Sequence, residues 1–220
     1  MEVIEAIKTR KTIRAFLPEP VSREVLAEVL EVARRAPSWA NTQPWEVAVL
    51  GGEVMGEVKA ALIDAATSGE TPGSDIPQIK FEDPYLARSR GLGFGLYEVL
   101  GIGREDREKR QEWALQGRKF FDAPSALIFY LDAVLGTWSM LDLGLFAQSV
   151  MLAALNFGLG TSSLAVVAAY PKILRRILSI PESKKIAFGM AIGYPDWSHP
   201  ANKFQSQREE VENFATWHGF

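Results

Sequence analysis

The chain has 220 residues, of which 47% are hydrophobic, so it can bury one sizeable core, and we expect a single domain over residues 1–220. Its 24 basic and 27 acidic residues give a net charge of -3, without the positive excess that a nucleic-acid-binding protein needs. Cysteine is absent, which excludes disulfides, a thiolate nucleophile and a cysteine metal site and favours a cytoplasmic location. The first ten residues mix acidic and apolar side chains, unlike an export signal.

Helical spacing of apolar residues, turn residues and β-prone runs predict the elements up to residue 84. In order, these are a short helix ending at Arg10, an extended segment over 11–16, a helix from Ser22 to before Pro37, a strand over 45–50, a helix over 54–66 and a loop over 68–84. The second helix has the clearest signals, because Ser22 can cap it and one apolar stripe runs along it.

The same signals continue to the end of the chain. They predict helices over 85–99 and 105–121, a strand over 126–131, a helix over 138–155, a strand over 161–167, a short helix from Pro171, a strand over 185–192 and a last helix over 209–217. Helices outweigh strands and separate them, which favours a three-layer α+β or α/β domain around one central sheet.

The most apolar stretch is the predicted helix over 138–155. Four polar residues interrupt it: Ser139, Asp142, Gln148 and Ser149. A membrane span tolerates such groups poorly, so we interpret the stretch as a buried helix and expect no membrane association. A long apolar helix in a domain of this size can also form a subunit interface.

Several well-known catalytic patterns are missing from the sequence. The two histidines, His199 and His218, lie near the C-terminus, and no metal site is expected from them. A serine-hydrolase elbow, a P-loop lysine motif and a zinc-protease helix motif are all absent. The glycines of segment 91–95 resemble a phosphate-binding turn, but the preceding residues are strand-poor, so we do not expect a nucleotide site there.

The basic segment over 10–14 offers a phosphate site. In an extended backbone Arg10, Thr12 and Arg14 point to one side, while Lys11 and Ile13 point to the other. Two guanidinium groups and a hydroxyl suit a phosphate, because they give forked, charge-assisted donors. The alternative is a merely basic surface segment.

A polar loop over 37–45 lies between an amphipathic helix and a strand. Its amide side chains, Asn41 and Gln43, can each donate and accept, as the edge of a heteroaromatic ring requires. The alternative is ordinary capping and turn chemistry.

In this order the motifs resemble the FMN-binding nitroreductase family over nearly the whole chain. They are Arg10-Lys11-Thr12-Ile13-Arg14, Ala36-Pro37-Ser38, Asn41-Thr42-Gln43-Pro44-Trp45, the segment 141–161, Gly193-Tyr194-Pro195, Asn202 and Arg208. The resemblance implies an α+β, three-layer α/β/α fold with a mainly antiparallel sheet and a homodimer with FMN at its interface. It also implies a lid around 68–121 and a C-terminal arm over 194–220.

The resemblance further implies which residues bind the flavin. Arg10, Thr12 and Arg208, with Lys203, would hold the phosphate, Lys11 would lie along the ribityl chain, and Arg14 would stabilise the reduced ring electrostatically. Pro37, Ser38, Trp39, Asn41 and Gln43 would line the ring, and backbone N–H groups of Ala165 and Val166 would reach its reactive nitrogen. Some relatives have an acidic residue followed by glycine at this last position, and this chain has neither. Trp39 would narrow the pocket or stack on the acceptor, or else pack on a neighbouring loop.

The implied activity is a ping-pong oxidoreductase that takes electrons from NADH or NADPH and passes them to nitroaromatic, quinone-like or similar small acceptors. Two other functions fit the same scaffold. One is a flavin-fragmenting or reductively dehalogenating enzyme, and the other is a non-catalytic module that binds or stores FMN.

Overall fold

The computed structural model describes residues 2–77 and 79–220. Its helices are α1 (Val3–Thr9), α2 (Arg23–Ala33), α3 (Gly52–Ser68), α4 (Tyr85–Val99), α5 (Arg107–Gln116), α6 (Thr137–Asn156) and α7 (Pro171–Leu178). Its strands are β1 (Glu46–Leu50), β2 (Ser125–Asp132), β3 (Gly160–Leu164) and β4 (Lys184–Gly193). Short 3-10 turns cover Trp39–Asn41, Phe120–Asp122, Ala165–Ala169, Pro200–Asn202 and Val211–Asn213.

The four strands form one sheet in the order β1-β2-β4-β3, and all three neighbouring pairs are antiparallel. Side chains of a strand alternate between the two faces of a sheet, and this sheet is covered on both. Ala126 and Ile128 of β2 pack towards α3 and α7, while Leu127 and Phe129 pack towards α2 and α6. The predicted three-layer α+β architecture with an antiparallel sheet is therefore confirmed.

Helix α6 is long and apolar enough, by length and composition alone, to cross a membrane. Its buried residues include Leu143, Phe146 and Val150, which belong to the core cluster under α2 and the sheet. The side of α6 that carries these residues is apolar because it packs in this core. Another side, with Trp138, Leu141 and Leu145, is exposed in the single chain.

The basic segment over 10–14 extends the sheet beyond β3. Thr12 forms a parallel bridge with Thr161, and the Ile13 N–H donates to the Thr161 carbonyl at 2.9 Å. Further on, the Leu17 N–H donates to the Tyr194 carbonyl at 2.8 Å. Pairing with the sheet therefore fixes the extended backbone that the predicted phosphate site requires.

Three predicted elements are wrong in part. The strand expected over 161–167 ends at Leu164, and residues 165–169 form a 3-10 turn. Val167, Ala168 and Ala169 of this turn are buried, and a Cβ at Gly189 of β4 would lie 2.9 Å from the Val167 side chain. The helix expected over 105–121 is α5 alone, which ends at Gln116. It cannot extend to residue 121, because Phe120, Phe121 and Asp122 have positive φ values that a right-handed helix does not contain.

The helix expected over 209–217 is also wrong, because only Val211–Asn213 forms a single 3-10 turn. Phe214 and Trp217 are exposed there, and a short helix without a partner surface for its apolar side is marginal in water. The glycine segment 91–95 lies inside α4, so it forms no phosphate-binding turn.

Candidate active site

Two arginines from opposite ends of the chain lie close together. Burial, and then the neighbouring charge of Arg208, hold the pKa of Arg10 below its usual value. Arg208 donates to the Ser206 hydroxyl at 2.6 Å and to the Gln207 carbonyl at 2.9 Å. Among the residues that the structure describes, neither arginine forms a salt bridge with a carboxylate. The pair is thus a concentration of positive charge that an anion would balance.

Arg14 is the third guanidinium of this region. Burial lowers its pKa, and Ile13 beside it is directed into the core with 2% exposure. The Arg14 backbone N–H donates to the Asn202 side-chain oxygen at 2.7 Å. The burial of Ile13 agrees with the predicted alternation, in which Ile13 points away from the side assigned to Arg10, Thr12 and Arg14.

Lys11 lies beside a tryptophan that we did not predict as part of the site. The Lys11 ammonium lies 5.3 Å from the centre of the Trp197 ring, which is a cation–π distance. Lys203 follows the 3-10 turn Pro200–Asn202 and is exposed. The sequence carries no signal for the pairing of Lys11 with Trp197, because the two residues lie near opposite ends of the chain.

The polar loop over 37–43 is held by its own hydrogen bonds. The Gln43 N–H donates to the Ser38 hydroxyl at 3.0 Å, and the Gln43 amide donates to the Asn41 carbonyl at 3.1 Å. Turn chemistry therefore occupies part of Gln43, as the alternative interpretation of this loop held. Ala40, Asn41 and Gln43 have φ of 50, 57 and 47°, a region that costs about 1–3 kcal/mol for residues other than glycine. Such strain persists only where surrounding contacts fix the loop, as they do here.

Helix α6 anchors the same loop. The Trp39 N–H donates to Asp142 Oδ1 at 3.1 Å, and Trp45 stacks on Phe146 with ring centres 4.8 Å apart. Asp142 is 4% exposed, and its Oδ2 is buried without a hydrogen-bond partner in the described structure. In the sequence Asp142 interrupts an apolar helix and belongs to the segment 141–161 that resembles the family, but no partner is predicted for it. A single acidic residue in an apolar helix indicates that its carboxylate has a polar partner inside the protein, but the sequence does not identify that partner.

A cleft of about 470 Å³ opens where this loop meets α6. Its lining is mostly apolar and consists of Pro37, Ser38, Trp39, Trp138, Leu141, Asp142 and Leu145. Trp39 is 68% exposed, so its ring lies at the wall of the cleft and is not packed away under a neighbouring loop. A flat aromatic molecule fits such a lining, because large apolar and aromatic side chains bury its faces.

Ala165 and Val166 begin the 3-10 turn that follows β3. Ala165 is exposed, and Val166 is half-buried against Gly117 at the end of α5, where a Cβ would lie 3.0 Å from Val166 Cγ2. The start of this turn is therefore exposed at Ala165, while the neighbouring Val166 is held by packing.

The predicted site residues fall into two groups. The basic half-site consists of residues 10–14, 165–166 and 202–208, and the loop half-site consists of residues 37–43 with the first half of α6. Hydrogen bonds join residues 12–15 to 161 and 202, and they join residue 39 to 142. Within the described ranges no hydrogen bond or salt bridge connects the two half-sites in one chain.

Comparison with known proteins decides the family. The profile of the nitroreductase family matches residues 7–194, which include both half-sites up to the end of β4. The chain belongs to the nitroreductase family. It is 34% identical to a nitrobenzene nitroreductase of Ectopseudomonas oleovorans, over 96% of this chain and 95% of that protein. It is also 34% identical to a 4-nitrobenzoate reductase of Pseudomonas putida, over 97% and 94%.

The fold agrees with this assignment. The crystal structure of the FMN and NADPH-dependent nitroreductase NfnB from sphigopyxis sp. strain HMH superposes with a TM-score of 0.95 at 33% identity, over the full length of both chains. The family resemblance inferred from the order of the sequence motifs is thus confirmed.

Proposed function

We propose that this nitroreductase passes electrons from NADH or NADPH through FMN to nitroaromatic, quinone-like or similar electron-poor acceptors in a ping-pong sequence. The expected enzyme class and cofactors are confirmed by its relatives, so the chain is an FMN-dependent oxidoreductase that uses a nicotinamide donor. The observation that supports the bound flavin in this chain is the Arg10 and Arg208 pair, two neighbouring cations that form no salt bridge with a carboxylate among the described residues.

A phosphate dianion fits the basic half-site. Arg10 and Arg208 offer forked donors, with the Thr12 hydroxyl and the Lys203 ammonium as further donors. Lys11, beside Trp197, would lie along the ribityl chain. Arg14 would face the pyrimidine side of the ring, where its cation favours the negative charge that reduction brings.

The loop half-site would hold the ring from its other side. Pro37, Ser38 and Trp39 line an apolar cleft with room for a flat acceptor. Asn41 and Gln43 would supply amides to the edge of the flavin ring. Backbone N–H groups of Ala165 and Val166 would reach the reactive nitrogen. Bound FMN supplies the two-electron chemistry, and the residues of the chain position it and its substrates.

We also propose that the active form is a cytoplasmic homodimer, with a lid around 68–121 and a C-terminal arm over 194–220. Its support is the exposed apolar side of α6, with Trp138, Leu141 and Leu145. A second copy that covers α6 would bury this side and bring the loop half-site of one chain to the basic half-site of the other.

A charge on this side of α6 tests the dimer. We expect Leu141→Arg to weaken self-association at least about tenfold, because an arginine in an apolar interface loses hydration without a partner. Sedimentation equilibrium measures the change, and Val54→Arg, at an exposed position of α3 on the opposite face of the sheet from α6, is the control. A wild-type protein that sediments as a single chain while binding FMN would overturn the dimer.

The activity is tested on the purified protein loaded with FMN. Under anaerobic conditions we expect NADH or NADPH to bleach the flavin absorption and a nitroarene or a quinone to restore it. Flavin that never bleaches would indicate the FMN-storage function or another donor. Bleaching without recovery by nitroarenes or quinones, but with halide release from a halogenated aromatic compound, would indicate the dehalogenating function.

A further inference from the structure

A second cleft, of about 410 Å³, lies between α4 and α5 and shares no residue with the cleft beside Trp39. Its lining combines aromatic, basic and acidic groups: Phe94, Tyr97, Glu98, Ile102, Gly103, Arg104 and Arg110. No residue named for the flavin is among them.

Arg110 is held in place at this cleft. Its guanidinium carbon lies 4.8 Å from the centre of the Tyr97 ring, and its Nη1 donates to the Arg104 carbonyl at 3.3 Å. In the described part of the chain, neither Arg104 nor Arg110 forms a salt bridge. A fixed guanidinium with unused donors beside a second arginine binds an anion without first losing much side-chain freedom.

The rest of the lining indicates what the anion is attached to. Phe94 is 57% exposed, so an aromatic ring can stack on it at the wall of the cleft. Glu98 would repel an isolated anion, but its carboxylate can accept hydrogen bonds from an amino or sugar hydroxyl group. A purine nucleoside with a phosphate on its sugar offers a ring, such donors and a charge at the same time.

The helices that form this cleft also contact the basic half-site. A Cβ at Gly95 of α4 would lie 2.6 Å from the Phe204 ring, so α4 approaches the chain directly beside Lys203. Gly117 after α5 packs on Val166 in the same way. A molecule bound in this cleft therefore lies on the two helices that border the proposed flavin site.

We propose that this cleft binds the adenosine 2′-phosphate end of NADPH, so that Arg104 and Arg110 make the protein prefer NADPH over NADH. This inference rests on the proposed function, because it assigns one end of the electron donor. The purine stacks at Phe94, and both arginines bind the 2′-phosphate, which NADH lacks.

The test uses the FMN-loaded protein and the variants Arg104→Gln and Arg110→Gln. Arg107→Gln is the control, because Arg107 is an exposed residue of α5 that does not line the cleft. Calorimetry measures the affinity for adenosine 2′,5′-bisphosphate, 5′-AMP and inorganic phosphate. We expect the bisphosphate to bind best and each cleft variant to weaken it about tenfold, the size of one charge-assisted contact. In steady-state kinetics, KM for NADPH should rise about tenfold, while KM for NADH and both kcat values should stay within about twofold of wild type.

Three results would overturn the assignment. The first is that the bisphosphate binds no better than 5′-AMP, and the second is that Arg107→Gln weakens binding as much as the cleft variants do. The third is that KM rises equally for NADH and NADPH, because the arginines would then bind the pyrophosphate that both donors share. If neither donor is oxidised at all, the proposed function fails, and the calorimetric comparison still decides whether the cleft recognises the 2′-phosphate.

Discussion

Replacing both Arg10 and Arg208 with alanine should release FMN from the protein. Burial, and then the nearby charge of Arg208, lower the pKa of Arg10, and neither arginine has a carboxylate partner in the described structure. A charge-assisted hydrogen bond contributes about 1.5–3 kcal/mol, so each single variant should weaken FMN binding by about 10- to 100-fold. The double variant should weaken it by at least about 100-fold, and flavin fluorescence during titration of the apoprotein measures each dissociation constant.

Removal of these charges should not destabilise the apoprotein, because two like charges repel each other when no anion lies between them. The melting temperature without FMN should therefore stay the same or rise, whereas that of the loaded protein should fall. Arg35→Ala, at an exposed arginine outside both half-sites, is the matched control and should keep the wild-type affinity. Unchanged flavin occupancy in both single variants would remove Arg10 and Arg208 from the phosphate site.

Sequence patterns predicted those elements whose signals are local. Helix α4 has the predicted limits, 85–99, and Ser22 caps α2 as expected by accepting the Val25 N–H at 3.2 Å. The strands β1, β2 and β4 lie within two residues of their predicted limits, because short β-prone runs between turn residues have few other structures available.

Contacts between distant segments were not predictable in the same way. Asp142 holds the loop half-site through the Trp39 N–H, and the two residues are 103 positions apart. Trp197 lies under Lys11 only because the chain end returns to the basic segment. The missing last helix has the same cause, since local spacing suggested a helix over 209–217 but no partner surface buries its apolar side chains. Tertiary packing determines these two contacts and the loss of the last helix, and such packing leaves no periodic pattern in a single sequence.

Asn202 is the residue that joins the two ends of the chain at the basic half-site. It is 1% exposed, and its side-chain oxygen accepts the Arg14 backbone N–H at 2.7 Å. Its amide donates to the carbonyls of Ala15 and Asp196, each at 2.8 Å. The side chain thus satisfies three backbone groups from two segments, and through them it positions Arg14 although it need not touch the flavin.

Asn202→Ala should therefore lower both stability and flavin affinity. Three buried backbone groups lose their partner, and at about 1–3 kcal/mol for each unsatisfied group we expect the free energy of unfolding to fall by about 4 kcal/mol. For a chain of this size that corresponds to a melting temperature roughly 10 °C lower, measured by calorimetry on the apoprotein. Asn213→Ala is the matched control, because its side-chain amide donates to the exposed Glu209 carboxylate at 3.0 Å.

FMN affinity, measured well below the melting transition, should fall in Asn202→Ala because the backbone of Arg14 is no longer held. A variant that melts within about 2 °C of wild type would show that water replaces these hydrogen bonds, and one that loses stability but keeps its FMN affinity would show that Arg14 is positioned by its neighbours in the sheet alone.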